Sequence, residues 1–522
     1  MKIERTKNAT KNITVGFGIK IYQMAVPFLM RTAMIHCLGV QYLGLNSLFV
    51  SVLQILNLAE LGVGSAMVFS MYKPIAEDDV QTIGALMRLY RKYYRLIGLV
   101  IGVVGLLLTP MIPELISGDV PDDMNVYILY LLNLAATVMS YWLFAYKNCL
   151  LQAHQRTDVI SLVGLLTSSV QYLFQLIVLF VLKNYYLYVC VTLSAQILNN
   201  IVTAVIATRM YPGYKPEGVL PKAKVRDINQ RIRDLFTGKL GAVILKSVDT
   251  VVISAFLGLT ILAIYQNYYY ILTCIIGLIE IIFSSIMAGL GNSFLTETKQ
   301  KNFQDLKKFT FLFLWLTGWC TCCFLCLYQP FMRIWVGESL MLNYTAVIIF
   351  GLYFFVYTLN RLLNVYKDAA GLWHEDRFRP LVTAVVNLVL NLLWVHNWGI
   401  YGVLLSTVVS MVVVGMPWLL HNIFTIFFEL PQMKEYLKEV FAFVGATILA
   451  GAASVLICTQ IRLGLWMTFF CCVGVCITAP NILFFVLFHK TFLFAESVRF
   501  ADHVTRGKLH LEKHLLRRVT IR

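Results

Sequence analysis

The sequence predicts an all-α integral membrane protein of about fourteen transmembrane helices, and three observations carry that expectation. Apolar stretches of about 20–28 residues recur along the chain, each long enough at ~1.5 Å per residue to cross a ~30 Å hydrocarbon layer. Fourteen of them are centred near residues 25, 57, 102, 136, 171, 197, 248, 277, 319, 355, 386, 413, 449 and 477. Basic residues fill every second gap. With the N-terminus placed in the cytoplasm, 36 of the 43 Lys and Arg lie on the cytoplasmic side, three (Lys183, Arg333, Arg462) on the other, and four (Lys20, Arg31, Lys246, Arg361) within spans. Asymmetry of this kind over short loops is the positive-inside pattern, and it puts both termini in the cytoplasm. Finally, 59% hydrophobic and 13% charged residues with a mean hydropathy of +0.73 leave too little polar surface to cover a soluble fold.

The elements follow in order. Residues 1–11 are polar and basic, and the apolar segment after them is full length, so it is expected to persist as helix one rather than be removed as a signal peptide. The longest outer loop, residues 113–124, carries Glu114, Asp119, Asp122 and Asp123 and no basic residue. The largest inner connection, residues 209–239, holds eight Lys and Arg, and Pro212, Gly213, Pro216, Gly218 and Pro221 break any helix there. That connection is the expected boundary between two halves. A shift of 219 carries Leu38-Gly39 onto Leu257-Gly258 and Arg88 onto Lys307, and brings Glu60 within one residue of Glu280. Two six-helix pseudo-repeats are therefore expected, forming two lobes related by an axis along the membrane normal with a substrate path between them, plus an extra C-terminal helix pair. The expected divisions are 1–211 for the first lobe, 212–236 for a basic linker, 237–428 for the second lobe, 429–490 for helices thirteen and fourteen, and 491–522 for a basic tail. In that tail Leu493, Phe494, Val498, Phe500 and Val504 alternate with Arg499, Arg506, Lys508, Arg517 and Arg518. It reads as an amphipathic segment on the inner leaflet, with a disordered tail as the alternative.

The same patterns exclude several functions. The net charge of +16 sits in inner loops and the tail, where anionic lipid headgroups meet it, so membrane lipids and not nucleic acid are the expected partners. The twelve cysteines lie in or beside apolar spans, and the densest group (Cys320, Cys322, Cys323, Cys326) has no His or carboxylate nearby, so it reads as packing with no metal site. No GxxxxGK[ST] loop, GxSxG elbow or metal-spaced His pair occurs, so no catalytic residue and no cofactor are expected, and the chain does not read as an enzyme.

Charges inside spans are costly and mark pathways. Arg31 and Lys20 both lie on helix one, each about 10 Å along the axis from one of its ends. Lys246 and Asp249 have the i,i+3 spacing of a pair on helix seven. Arg361 stands beside Asn360 and Asn364 on helix ten. For Lys20 and Arg361, snorkelling to the inner interface competes with substrate binding. Glu60 and Glu280, on helices two and eight, read as proton or cation sites for coupling, or as partners of Lys20 and Arg361 in an inner gate. Four interior cations against three acids favour anionic cargo. Tyr265 and Tyr268, grouped with Tyr269 and Tyr270, offer aromatic faces for sugar rings, against the alternative of packing at the interface belt.

Three local strings carry a resemblance. Tyr42-Leu-Gly-Leu-Asn-Ser through Leu58-Ala-Glu-Leu-Gly-Val-Gly-Ser-Ala66 resembles the second helix of bacterial polysaccharide flippases. Ser247-Val-Asp-Thr-Val-Val-Ile-Ser-Ala-Phe-Leu-Gly258 resembles the opening helix of their second half. Lys367-Asp-Ala-Ala-Gly-Leu-Trp373 with Glu375-Asp-Arg-Phe-Arg-Pro380 resembles the loop after their tenth helix. The chain thus resembles the Wzx-like oligosaccharide flippases of the multidrug/oligosaccharidyl-lipid/polysaccharide exporter superfamily. The resemblance implies export of a lipid-linked sugar repeat unit, carried on undecaprenyl diphosphate, from the inner to the outer leaflet of a bacterial plasma membrane. It also implies O-antigen, capsule or exopolysaccharide assembly, with a polymerase and glycosyltransferases as partners, and assigns diphosphate contacts to Arg31, Lys20, Lys246 and Arg361. A multidrug cation antiporter of the same superfamily, a flippase for the peptidoglycan lipid precursor, and a membrane polymerase or ligase of lipid-linked sugars are the rivals.

Overall fold

The computed structural model describes residues 5–60, 62–118, 120, 121, 123–504, 510, 512 and 515. Asp119 and Asp122 of the acidic loop and nearly all of the tail beyond Val504 lie outside the described residues. Among the described residues every regular element is helical. In order they are α1 (Arg5–Cys37), α2 (Val40–Leu56), α3 (Val63–Ala76), α4 (Val80–Leu108), α5 (Val126–Trp142), α6 (Asn148–Ala153), α7 (Thr157–Ile177), α8 (Tyr185–Met210), α9 (Lys222–Leu257) and α10 (Leu259–Thr296). There follow α11 (Lys299–Trp335), α12 (Tyr344–Ala369), α13 (Trp373–Asp376), α14 (Arg379–Ser410), α15 (Met416–Asn422), α16 (Leu430–Gln460), α17 (Leu465–Phe488) and α18 (Phe492–Val504).

Among the described residues ten helical segments are long and apolar enough to cross a membrane, or eleven if the bent pair Val126–Trp142 and Ala145–Ala153 is one span. The difference from fourteen has structural reasons. The 55-residue segment Trp373–Phe427 would extend ~80 Å if straight. It is interrupted at Gly399 (φ 54, ψ −133). Beyond that break Asn387 Nδ2 donates to Thr407 Oγ1 at 3.0 Å, and Asn391 meets Ser406. Residues some twenty positions apart can bond only if the chain reverses, so α14 is a helical hairpin. The second expected span is likewise divided, by the turn Asn57–Glu60, into α2 and α3.

The chain separates into two compact units, Met1–Ala263 and Ile264–Arg522. In the first, α2 runs along α9. Gly44 of α2 faces the carbonyl of Leu259 so closely that a methyl group there would overlap it. The expected linker 212–236 is a loop only as far as Pro221, because α9 is one continuous helix from Lys222. The last proline of the basic stretch supplies its N-cap position, and nothing after it breaks a helix.

In the second unit α11 is the hub, packed against α12, α16, α17 and α18. Aromatic stacking joins α16 to α17 through Phe443 and Phe488, with ring centroids 4.5 Å apart. Lys307 of α11 is buried and reaches Glu435 at 2.5 Å and Glu439 at 3.4 Å on α16. The tail forms α18, whose Phe494 and Val498 are buried and whose Phe500 meets Phe309 edge-on at 5.4 Å. Its apolar face is thus spent in part on protein and not only on lipid.

Backbone geometry carries the internal repeat further. Gly39 and Gly258 both have positive φ (121° and 87°), as do Gly118 and Gly337 (82° and 83°), and each pair is 219 positions apart. A shift of 220 aligns Tyr146-Lys147 and His154 with Tyr366-Lys367 and His374.

Candidate site of buried charges

Glu60 sits in the short turn that interrupts the second span, where the backbone leaves α-helical geometry. Its Oε1 accepts from Tyr94 Oη at 2.5 Å and its Oε2 from Tyr141 Oη at 2.6 Å. Tyr90 Oη in turn donates to Tyr94 Oη at 2.6 Å. Both carboxylate oxygens are therefore met by phenol hydroxyls from α4 and α5, not by Lys20 as the gate reading expected. Neutral donors satisfy the carboxylate without adding charge to an apolar interior.

Glu280 of α10 is met by a cation. Arg361 Nε of α12 lies 2.8 Å from Oε1 and 3.0 Å from Oε2, with the two side chains 30% and 32% exposed. The expected partnership of Glu280 with Arg361 is present, within one unit. Arg361 is thereby engaged by a carboxylate in this structure.

Lys20 and Arg31 are both half-buried on α1. Met30 and Ala33 pack with Leu179 beside Tyr188, and Tyr22 Oη pairs with Ser169 Oγ at 2.6 Å. These contacts fix α1 against α7 and α8 and bring the Arg31 guanidinium into electrostatic reach of the Tyr188 hydroxyl. Lys246 is exposed, while Asp249 is only 8% exposed. The two residues expected to pair thus differ in burial, the lysine exposed and the aspartate inside its unit.

Tyr268 is fully buried. Its hydroxyl lies 3.1 Å from Gln329 Oε1 and accepts from Leu342 N at 3.2 Å, and its ring stacks on Phe350 with centroids 5.8 Å apart. Tyr265 is also buried, stacked between Tyr269 and Phe350. In this structure the faces of Tyr265 and Tyr268 are stacked on neighbouring rings of the same unit.

Sequence reasoning missed the tyrosines around Glu60 and a clasp after α12. Arg379 grips Asp376 through Nε to Oδ1 at 2.6 Å and Nη2 to Oδ2 at 2.8 Å. Its Nη2 also reaches Asn364 Oδ1 at 2.7 Å, and Lys367 Nζ stands 3.5 Å from Asp376. The Lys367 and Glu375–Pro380 strings are thereby a buried ion cluster that closes the turn between α12 and α14, with bidentate geometry only arginine supplies.

Comparisons with known proteins place this architecture. The profile of the family described as "Polysaccharide biosynthesis protein" matches residues 9–287. The chain belongs to that family. No match was found among curated proteins. Among solved structures, a lipid II flippase MurJ in an inward closed conformation superposes with TM-score 0.68 at 14% identity, over 91% of this chain and 99% of that one. An inward-facing multidrug resistance MATE family transporter of the MOP superfamily gives TM-score 0.60 at 14% identity, over 80% and 96%. A mutant of the Vibrio cholerae MATE transporter VcmN gives 0.53 at 15% identity, over 77% and 95%. At these identities the likeness is one of fold. This member of the polysaccharide family is therefore a multi-pass helical membrane protein with the architecture that MurJ and the MATE transporters share.

Proposed function

We propose that this protein is a flippase that moves lipid-linked oligosaccharide repeat units from the inner to the outer leaflet of a bacterial plasma membrane, for assembly of a cell-surface polysaccharide. The carrier on this reading is undecaprenyl diphosphate, and both termini are cytoplasmic. One observation supports it above the antiporter reading. Glu60 is held by Tyr94 and Tyr141 and Glu280 by Arg361, whereas Lys20 and Lys246 have no carboxylate partner among the described residues. Acids that are already engaged give a cationic drug little to bind. Ammonium groups without a carboxylate, together with Arg31, suit a diphosphate, whose oxygens take charge-assisted hydrogen bonds in place of water. Membership of the polysaccharide family supplies the sugar part of the cargo.

Deletion of the gene tests the reading. The strain is expected to accumulate undecaprenyl-diphosphate-linked repeat units on the cytoplasmic face and to lose its surface polymer. Intact surface polymer with new sensitivity to cationic drugs would replace this reading by the antiporter, and lysis with a block in peptidoglycan synthesis would replace it by the peptidoglycan-precursor flippase.

A further inference from the structure

Eight of the twelve cysteines lie on α11, α16 and α17: Cys320, Cys322, Cys323, Cys326, Cys458, Cys471, Cys472 and Cys476. The fold gathers the majority of them at one place. The sulfurs of Cys326, Cys458 and Cys476, one from each helix, lie within 4.8 Å of one another. Cys472 is buried in the same cluster, and Cys323 packs against it. Cys326, Cys458, Cys472 and Cys476 are 6%, 8%, 1% and 1% exposed. Close packing of three helices requires small apolar side chains, which alanine, valine or serine provide equally well. Convergence of sulfur from three separate helices is an additional feature that packing does not demand.

We propose that Cys326, Cys458 and Cys476 form a buried binding site for a thiophilic divalent d10 metal ion, Zn2+ in the cell, with Cys472 beside it as a fourth sulfur donor. The geometry suits the ion. A Zn–S bond of ~2.3 Å places thiolates ~3.8 Å apart, inside the observed spacing, so the ligands close on the metal by small rotations of side chains. In the binding step three S–H bonds break, three thiolate–Zn bonds form together with one dative bond from the neutral Cys472 thiol, three protons leave to water, and no atom changes oxidation state. Three thiolates on a divalent ion carry one net negative charge against three without it, so the metal makes deprotonation tolerable in an apolar setting. Cys458 stands near the end of α16, one short turn from the start of α17, which gives ion and protons a route. The consequence is mechanical: the metal fastens α16 and α17 to α11.

The test uses the full-length protein purified in detergent under reducing conditions and stripped with a chelator. Zn2+ alone is added, then Cd2+ in a parallel sample, and metal retained after gel filtration is measured. We expect one equivalent of metal per chain, an ultraviolet thiolate-to-cadmium charge-transfer band, and a higher unfolding temperature with Zn2+. Cys458→Ser and Cys476→Ser should each weaken binding by about tenfold or more, while Cys190→Ser leaves it unchanged. If the serine variants fail to fold, the band in reloaded wild-type protein still decides. Absence of that band, stoichiometric metal in a Cys458→Ser/Cys476→Ser double variant, or an intact mass lowered by two hydrogens from a disulfide would each overturn the proposal.

Discussion

Arg361 donates from Nε to both carboxylate oxygens of Glu280, 2.8 and 3.0 Å away and 81 positions earlier in the chain. Tyr141 donates to Glu60 across the same interval of 81. The repeat shift of 220 superposes the two pairs, so each half builds one acid–donor contact between the same two elements. One half uses a neutral phenol and the other a guanidinium. The duplication has been kept in position and altered in charge.

Removing the cation should expose that difference. Arg361→Ala leaves Glu280 partly desolvated without its partner, at a cost of about 1–3 kcal/mol. The double variant Arg361→Ala/Glu280→Ala should recover part of the loss. Thermal unfolding of purified protein measures both, and equal stability of Arg361→Ala and wild type would remove the pair's structural role.

Glu60 offers a sharper separation of structure from coupling. Tyr94→Phe and Tyr141→Phe each delete one donor and should cost about 0.5–1.5 kcal/mol. Glu60→Gln keeps an acceptor oxygen but cannot ionise, so it should preserve abundance in the membrane while abolishing export, if the carboxylate gates or couples transport. Full export by Glu60→Gln would reduce the cluster to a structural one.

The first of the family-like strings has a backbone explanation with its own test. The hydrogen of Gly44 lies against the carbonyl of Leu259, so Gly44→Ala has no room unless α2 moves away from the start of α10. Loss of folded protein from the membrane is expected, by detergent extraction and gel filtration. Gly164→Ala, where a methyl meets nothing, should be silent.

Much of this was legible in the sequence, for physical reasons that also set the limits. Thirteen of the fourteen expected centres fall within helices, because burial in lipid forces backbone groups to bond within their own segment, while the centre near residue 57 falls on the turn Asn57–Glu60. Partners of charges were harder. Glu280 with Arg361 follows from opposite charge on spans of one half, but no charge rule points from Glu60 to Tyr141. The signal that would have done so was the repeat register: Tyr146-Lys147 and His154 against Tyr366-Lys367 and His374 fix the shift, and Tyr141 then stands where Arg361 does. For Tyr268, composition cannot tell a ring open to cargo from one stacked on Phe350, as this ring is. The convergence of Cys326, Cys458 and Cys476 was hidden because it joins helices more than 130 residues apart in the chain.

Arg31 carries the residue-level expectation. Arg31→Ala should abolish surface polymer with protein abundance unchanged, and Arg31→Lys should restore export only in part, because an ammonium keeps the charge but not the two-pronged donor geometry for phosphate oxygens. Asp249 is buried and is the natural structural competitor for that charge. Recovery of both abundance and export in Arg31→Ala/Asp249→Ala would make the arginine structural.

Reconstitution tests the central claim most directly. Purified protein is placed in vesicles containing a lectin-reactive oligosaccharide on undecaprenyl diphosphate, with the sugar initially confined to one leaflet, and appearance of lectin-accessible sugar on the other is followed without ATP. The account predicts transfer by the wild-type protein, little by Arg31→Ala, and none in empty vesicles. Transfer no faster than in empty vesicles, from protein shown to be folded, would contradict it.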